Sequence, residues 1–244
     1  MKLIIDIGNS RAKIVVMRGN ELVNELTTES VTRADIELLQ HNYPALRRAI
    51  VASTRGDGEH VTAMVRSLGI ATLLFNPATT PIPLENRYHT PATLGPDRLA
   101  AAVGVAALYP NRDVMIVDFG TAITIDYVVG RAFLGGNISP GVTTRFRSLA
   151  DYTACLPLCS ATEQVLEYGR TTQEAIEQGV MRGVEQEIRG YVESFLLKNC
   201  KNCTIFTGGD AKYFVKRIKN AIFADCEPVV YGLSTILEYN AEKF

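Results

Sequence analysis

An excess of positive or negative charge is missing from this 244-residue chain: 25 lysines and arginines stand against 26 aspartates and glutamates, a formal net charge of −1. No global field then favours nucleic acid or an anionic membrane, so an anionic ligand has to be held by local groups. Long apolar runs are missing too. The opening residues, Met1-Lys2-Leu3-Ile4-Ile5-Asp6, reach an aspartate after three apolar positions, too few for a secretory core, and no later run approaches a membrane span. A cytoplasmic protein without membrane attachment is expected. The five cysteines (155, 159, 200, 203, 226) form an odd set, which argues against a disulfide framework and for reduced thiols. Cys200-Lys201-Asn202-Cys203 has the spacing of half a zinc site or of a redox pair. Zinc needs two more ligands, however, and the three histidines all lie far off in sequence. Neither a GxxxxGK[ST] loop nor a strand-borne dinucleotide fingerprint occurs, which removes the two commoner nucleotide-binding designs.

What is present is enough apolar residue, 47% of the chain, for one large domain or two compact ones. Lys2 to Ile7 and Ala12 to Met17 predict two strands joined as a hairpin by the polar turn Gly8-Asn9-Ser10-Arg11. Arg48 to Ser53 and Ile70 to Phe75 predict further strands, with helices over 32–39 and 59–68 between them. Five of the ten prolines fall between 76 and 96, so that stretch is expected to be an irregular surface loop. An Ala-rich helix follows over Leu99 to Leu108. Then the pattern restarts: Val114 to Asp118 is again an apolar run ending in Asp. Asp6-Ile7-Gly8-Asn9-Ser10 and Asp118-Phe119-Gly120-Thr121-Ala122 share an order, and each precedes a β-rich segment. Two related halves, 1–113 and 114–244, are therefore expected. A long helix over 172–197, a strand at Thr204-Ile205-Phe206 leading into Thr207-Gly208-Gly209, and a closing helix over 232–240 complete the reading.

A strand ending in Asp before a turn with Gly and a hydroxyl residue is an ordinary turn when it occurs once. Twice in one chain it suggests more. Glycine lets the backbone approach a ligand closely, and the turn's N–H groups and hydroxyls can point at phosphate oxygens. The aspartate beside them can hold a hydrated cation that bridges those oxygens. Two such turns would clamp a triphosphate, with Thr207-Gly208-Gly209 where an adenosine-contacting loop is needed. Arg11 and Lys13 could add charge at the first turn.

Between the proline-rich loop and the Ala-rich helix lies Asn86-Arg87-Tyr88-His89-Thr90-Pro91-Ala92-Thr93-Leu94-Gly95-Pro96-Asp97-Arg98. One reading makes Asp97 a helix cap with Arg98 in solvent. The other gives Asp97 the proton of an alcohol and Arg98 the carboxylate of an acceptor. Taken with Asp6-Ile7-Gly8-Asn9-Ser10, Asp118-Phe119-Gly120-Thr121-Ala122 and Thr207-Gly208-Gly209, the segment Gly95-Pro96-Asp97-Arg98 resembles the pantothenate motif of type III pantothenate kinases. Gly135-Gly136-Asn137-Ile138-Ser139-Pro140-Gly141, Thr153-Ala154-Cys155-Leu156-Pro157 and Gly169-Arg170-Thr171-Thr172-Gln173-Glu174-Ala175-Ile176 match that family in order and spacing. Ser10 stands where the family usually has Thr, and keeps the hydroxyl; Pro96 fills a variable position.

The resemblance implies an α/β fold of two related ribonuclease-H-like domains of the actin/hexokinase type, each a mixed sheet flanked by helices. It implies ATP-dependent phosphorylation of pantothenate to 4′-phosphopantothenate, the first step of coenzyme A synthesis. Asp97 is then the base, and Tyr88, Gly95, Pro96, Arg98 and Thr172 lie near pantothenate. Asp6, Gly8, Asn9, Ser10, Arg11, Lys13, Thr121, Gly208 and Gly209 lie near ATP, with Asp6 at Mg²⁺ and Asp118 at a monovalent cation, K⁺ or NH₄⁺. A homodimer is implied, its acceptor pocket close to the subunit interface. Gly135-Gly136 with Pro140-Gly141 reads either as only a tight loop or, as the resemblance implies, as a loop close to the substrates. Rival readings are a kinase for another small alcohol or carboxylate, since fold alone does not specify the acceptor, a nucleotide-responsive regulator, and an actin-like polymer subunit. Retention of Asp97, Arg98 and both phosphate aspartates favours the kinase.

Overall fold

A computed structural model describes residues 1–199, 201–224 and 227–243. In chain order the elements are β1 (Lys2–Ile7), β2 (Ala12–Arg18), β3 (Glu21–Thr28), α1 (Arg33–Asn42), β4 (Arg48–Ser53), α2 (Gly58–Ser67), β5 (Ala71–Leu74), β6 (Glu85–Asn86) and α3 (Pro96–Leu108). They continue with β7 (Val114–Phe119), β8 (Ala122–Val129), β9 (Ala132–Pro140), α4 (Val142–Tyr152), α5 (Thr172–Leu196), β10 (Cys203–Thr207), α6 (Ala211–Val215), β11 (Ala221–Phe223) and α7 (Pro228–Tyr239). No helix among the described residues is long and apolar enough to cross a membrane.

The chain forms two compact units. The first holds Met1–Pro110, Arg131–Leu134 and the closing segment with α7; the second holds Asn111–Gly130 and the stretch from Gly135 to that closing segment. A division at 113 does not anticipate the two returns, which have local causes. Glu85 and Asn86 of β6 pair in parallel with Ala132 and Phe133 at the start of β9. Helix α7 packs on α3 so closely that neither Gly104 nor Gly232 has room for a side chain. A methyl at Gly104 would meet Gly232 N at 3.0 Å, and one at Gly232 would meet the Ala100 carbonyl carbon at 2.6 Å.

Each unit repeats one sheet plan. In the first the order is β3-β2-β1-β4-β5, with β1 antiparallel to β2 and parallel to β4. In the second the corresponding run is β9-β8-β7-β10-β11, with β7 antiparallel to β8 and parallel to β10. Side chains alternate faces along a strand, and this alternation places both motif aspartates. Leu3, Ile5 and Ile7 of β1 pack with Ile36 and Leu39 of α1 and Val61 and Val65 of α2. Lys2, Ile4 and Asp6 therefore share the opposite face, where Lys2 Nζ donates to Glu238 Oε1 of α7 at 3.0 Å. Met115, Val117 and Phe119 of β7 pack with Val142 and Phe146 of α4 and with Val180, Val184 and Ile188 of α5. Asp118 faces away from that core. The apolar residue between Asp and Gly in each motif is thus a core anchor: Ile7 and Phe119 are both buried, and Phe119 stacks on Phe214 at 4.8 Å and lies edge-on to Phe206 at 5.0 Å.

The sequence reading missed β3, β9, α4, α6 and β11, of which the first three bear on the sheets and turns that carry the motifs. Glu21–Thr28 is the edge strand β3, its half-exposed face too polar for an apolar signal. Residues 132–140 form strand β9, which corrects the expected tight loop over 135–141: Gly136 lies so close to β8 that a methyl there would stand 2.5 Å from Asp126 Oδ1. Val142–Tyr152 is helix α4. The proline-rich stretch is irregular as expected, apart from β6 and one 3₁₀ turn at Pro91–Thr93.

Candidate active site

At the start of α3 the chain enters the helix from an extended glycine, so the Asp97 carboxylate can fold back where a side chain at position 95 would crowd it. Gly95 is the N-cap, and Pro96 takes the first helical position, where its missing N–H is no loss. Asp97 then folds its carboxylate back, Oδ1 accepting the Arg98 N–H at 2.9 Å. A methyl at Gly95 would stand 2.5 Å from that same oxygen. Asp97 is therefore a first-turn residue and not the cap, which corrects the capping reading. Arg98 is not in solvent either. It is buried, only 6% exposed, and its guanidinium lies 5.7 Å from the centre of the Tyr88 ring. Tyr88 in turn sits 6.1 Å from the buried Phe133, and its N–H is held by Asn86 Oδ1 at 3.0 Å. A buried cation over an aromatic face contributes roughly 2 kcal/mol. The fold thus brings Tyr88, Gly95, Pro96, Asp97 and Arg98 to one place in the first unit.

The first turn also lies in that unit. Ile7 pairs with Ala12, and the four residues between them close the hairpin, Gly8 N donating to Arg11 O at 3.0 Å. Asn9, Ser10 and Arg11 are exposed. Asp6 lies opposite Lys13 on the ladder. Lys13 is held by two carboxylates: its Nζ donates to Glu227 Oε1 and stands 3.4 Å from Glu25 Oε1. Neither glutamate carried a signal in sequence, because Glu227 is 214 residues away.

In the second unit, Phe119 pairs with Ile123, and a three-residue turn closes with Gly120 N donating to Ala122 O at 3.2 Å. This turn is braced from two sides. Gly141, which opens α4, donates its N–H to Thr121 O at 3.0 Å, and Thr144 Oγ1 donates to the same carbonyl at 2.7 Å. Gly208, after β10, has φ +93°, and a methyl there would meet Phe119 N at 2.6 Å and overlap Asp118 Oδ1. Asp118, Thr121 and Gly208 are therefore gathered together, and Gly209 beside them is open. Asp210 follows; its N–H reaches Phe119 O at 3.3 Å, and burial pushes its carboxyl above the ordinary 3.8. Thr144 had no signal in sequence.

Thr172 lies elsewhere in the second unit. It is the first helical residue of α5, after Thr171, which forms a capping box with Glu174. With Arg145, Leu149, Leu156, Ala175 and Gly179 it lines an open groove of about 570 Å³. Among the described residues no group of three metal-ligating side chains occurs. Cys203 is buried in β10 and burial raises its thiol above the ordinary 9.0 despite Arg112, so it is poorly ionised at neutral pH. Cys200 lies outside the described residues.

Comparison with known proteins accords with this geometry. The profile of the type III pantothenate kinase family matches residues 2–194. A type III pantothenate kinase from Phocaeicola vulgatus is 41% identical over 242 residues, covering 98% of this chain and 99% of that protein. Among solved structures, a conserved Campylobacter jejuni protein proposed as a Baf family transcriptional activator is 23% identical with a TM-score of 0.64, covering 98% of this chain and 99% of that one. A Sinorhizobium meliloti protein proposed as a 2-dehydro-3-deoxygalactonokinase is 13% identical with a TM-score of 0.63, again over 98% and 99% of the two chains. At these identities the structural likeness shows the fold alone, two units of mixed sheet and helix of the actin/hexokinase type.

Proposed function

The chain belongs to the type III pantothenate kinase family, and on that premise we propose that Asp97 is the general base of its reaction. The protein phosphorylates pantothenate at the expense of ATP, a step of coenzyme A biosynthesis. The observation that carries the residue assignment is the Gly95 turn, which sets a carboxylate on the first turn of α3 next to a buried arginine and Tyr88. Asp97 takes the proton from pantothenate's primary alcohol as that oxygen bonds to the γ-phosphorus. The bond from the γ-phosphorus to the ADP oxygen breaks, and the electron pair leaves with ADP. Positioning and charge stabilisation dominate such a transfer. Arg98 binds the acceptor's carboxylate, fixed against Tyr88, and Gly95 and Pro96 line the acceptor site; Thr172 is proposed as an acceptor contact on the family resemblance alone.

The first turn (Gly8, Asn9, Ser10, Arg11, with Lys13) and the second (Thr121, with Gly208 and Gly209) contact ATP. Their donors fit the expected cations. Asp6 beside a hydroxyl-bearing turn offers the hard oxygens Mg²⁺ prefers, and one or two carboxylates suffice when phosphate completes the shell. Asp118, crowded by Gly208, offers oxygen to K⁺ or NH₄⁺. When bound, these ions would offset the charge on the phosphate oxygens.

A homodimer fits the outer face of α5. Gly179, Gly183 and Gly190 are exposed, with nothing within 4 Å of the place a side chain would take. Each glycine costs a helix roughly 1 kcal/mol relative to alanine, a cost that close approach of a second copy would offset. With a net charge of −1, neither nucleic acid nor membrane is proposed as a partner, and the cytoplasm is the proposed location.

The test is ATP consumption by purified protein with and without pantothenate, in K⁺ and in Na⁺ buffer. Turnover that requires both pantothenate and K⁺ is expected. Turnover with another alcohol instead would reassign the acceptor. In the same assay Arg98→Lys raises the pantothenate KM by more than ten-fold, because a lysine cannot pair a carboxylate bidentately or stack on Tyr88.

A further inference from the structure

Helix α4 opens against its own dipole. The N-terminal end of a helix carries partial positive charge and favours carboxylates, yet the opening residues Val142-Thr143-Thr144-Arg145 include no acid and one arginine. Contacts on the N-terminal side hold that arginine in place. Its backbone N–H donates to Gly141 O at 2.9 Å in the ordinary helical manner, and its Nε reaches one residue further back, to Pro140 O at 2.8 Å. Nη2 donates to Ser139 Oγ at 3.3 Å and to Glu187 Oε2 of α5. The two side chains of this ion pair are 22% and 25% exposed, so Glu187 offsets the misplaced charge away from bulk solvent. The corner that Arg145 fixes is also the one that grips the second Asp-x-Gly turn. Gly141 N–H and Thr144 Oγ1 both donate to Thr121 O, at 3.0 and 2.7 Å, and a methyl at Gly141 would stand 3.0 Å from the Thr121 carbonyl carbon. A planar trans peptide sets its C=O and N–H on opposite sides. The donors that turn the Thr121 carbonyl toward α4 therefore turn the next N–H, that of Ala122, away from it.

We propose that Arg145 and Glu187 are positioning residues for the nucleotide: through the Pro140–Gly141 corner they set the orientation of the Thr121 peptide. The proposal rests on the reading of Thr121 as an ATP contact. Glu187 acts on the turn at one remove, by aiming the guanidinium; Arg145 acts by holding the Pro140 carbonyl, one residue before the N–H that Thr121 accepts. Without the pair, the start of α4 keeps its helical hydrogen bonds but loses the side-chain tie to β9, and the Thr121 peptide gains freedom to rotate. Positioning and charge stabilisation dominate phosphoryl transfer, so a small reorientation of phosphate-facing groups is felt in binding and rate. Arg145 also lines the groove beside Thr172, whereas Glu187 does not, which makes Glu187 the cleaner residue to change.

Steady-state kinetics with each substrate varied in turn read the effect as a split between the two KM values. Glu187→Gln raises the ATP KM about ten-fold, the size of one hydrogen bond to a charged group, and leaves the pantothenate KM within about two-fold of wild type. Arg145→Met raises the ATP KM at least as much, and the double variant raises it no further, because both residues act along one path. The exchanged pair, Arg145→Glu with Glu187→Arg, separates positioning from mere stability. It restores the ion pair, read as recovery of the urea midpoint, but supplies no donor for Pro140 O, so its ATP KM stays raised. An exchanged pair with the wild-type ATP KM overturns the proposal, as does a Glu187→Gln variant whose ATP KM is unchanged or whose two KM values rise together. Thr121→Ala is the control for the underlying reading: an ATP KM unchanged in that variant overturns the assignment of Thr121 as an ATP contact, and the proposal with it, whatever Arg145 and Glu187 do.

Discussion

The two Asp-x-Gly turns are nearly the same in sequence and differ in how they are held. The first is a four-residue turn whose glycine leaves 3.3 Å to the Arg11 carbonyl and whose polar residues are exposed. The second is one residue shorter and is gripped by two glycines from other loops, Gly141 and Gly208, neither with room for a methyl. One motif is therefore positioned by its own hairpin, the other by its neighbours. The first unit compensates with a charged face, Lys13 between Glu25 and Glu227, and with α7 wedged against the helix that carries Asp97. A local motif repeated twice has acquired two kinds of support.

Removing chemistry while leaving both supports intact gives the largest effect. Asp97→Asn lowers kcat by about two to four orders of magnitude, the usual contribution of a general base, while its denaturation midpoint stays within error of wild type. A variant that keeps full kcat would move the base elsewhere. Steric substitution at the two turns sharpens the comparison directly. Gly208→Ala forces a side chain into φ +93° and onto the Phe119 backbone, and costs about 3 kcal/mol in urea unfolding together with a raised ATP KM. Gly8→Ala, with its looser surroundings, costs less than about 1 kcal/mol. Equal costs would mean that the second turn is not braced as described. Next comes the α7 wedge. Gly232→Ala pushes on the Ala100 carbonyl, costs about 2 kcal/mol, and lowers kcat by displacing α3.

The smallest effects are in pH dependence and have opposite sign in the two units. Burial would raise the Glu238 carboxyl, but Lys2, Arg48 and the amino terminus together hold it below 4.5. Its contribution to stability is thus present above that value and lost as pH falls through the folded pKa. Glu238→Gln flattens the acid limb of the stability profile. Asp210 is raised above 3.8 by burial, so the native state holds its proton longer and stability falls as pH rises through that window. Asp210→Asn removes this loss and slightly stabilises the protein at neutral pH. Urea midpoints between pH 3 and 7 check both signs.

Strands were legible in sequence where both faces are buried, as in Lys2–Ile7 and Arg48–Ser53, because a continuous apolar run has few alternatives. The long helix α5 was legible from its capping and periodicity. Strand β9 was not, since Gly135, Gly136 and Pro140 carry turn signals and the strand exists through its pairing with neighbours. Every candidate site residue came from a motif. Their convergence was visible only where motif and neighbour are close in the chain, as for Gly95 and Asp97.

The sequence by itself determined the repeated strand-Asp-turn unit, the oxygen-rich chemistry of its ends, and the pairing of a carboxylate with an arginine at a helix start, because each depends on residues within a few positions of one another. Only the tertiary structure decided that Arg98 is buried against Tyr88, that Gly208 closes on Asp118, and that Lys13 is held by Glu25 and Glu227. Those contacts join segments 10 to 214 residues apart. No local preference encodes them; they follow from which faces the two sheets bury and from where α7 comes to rest.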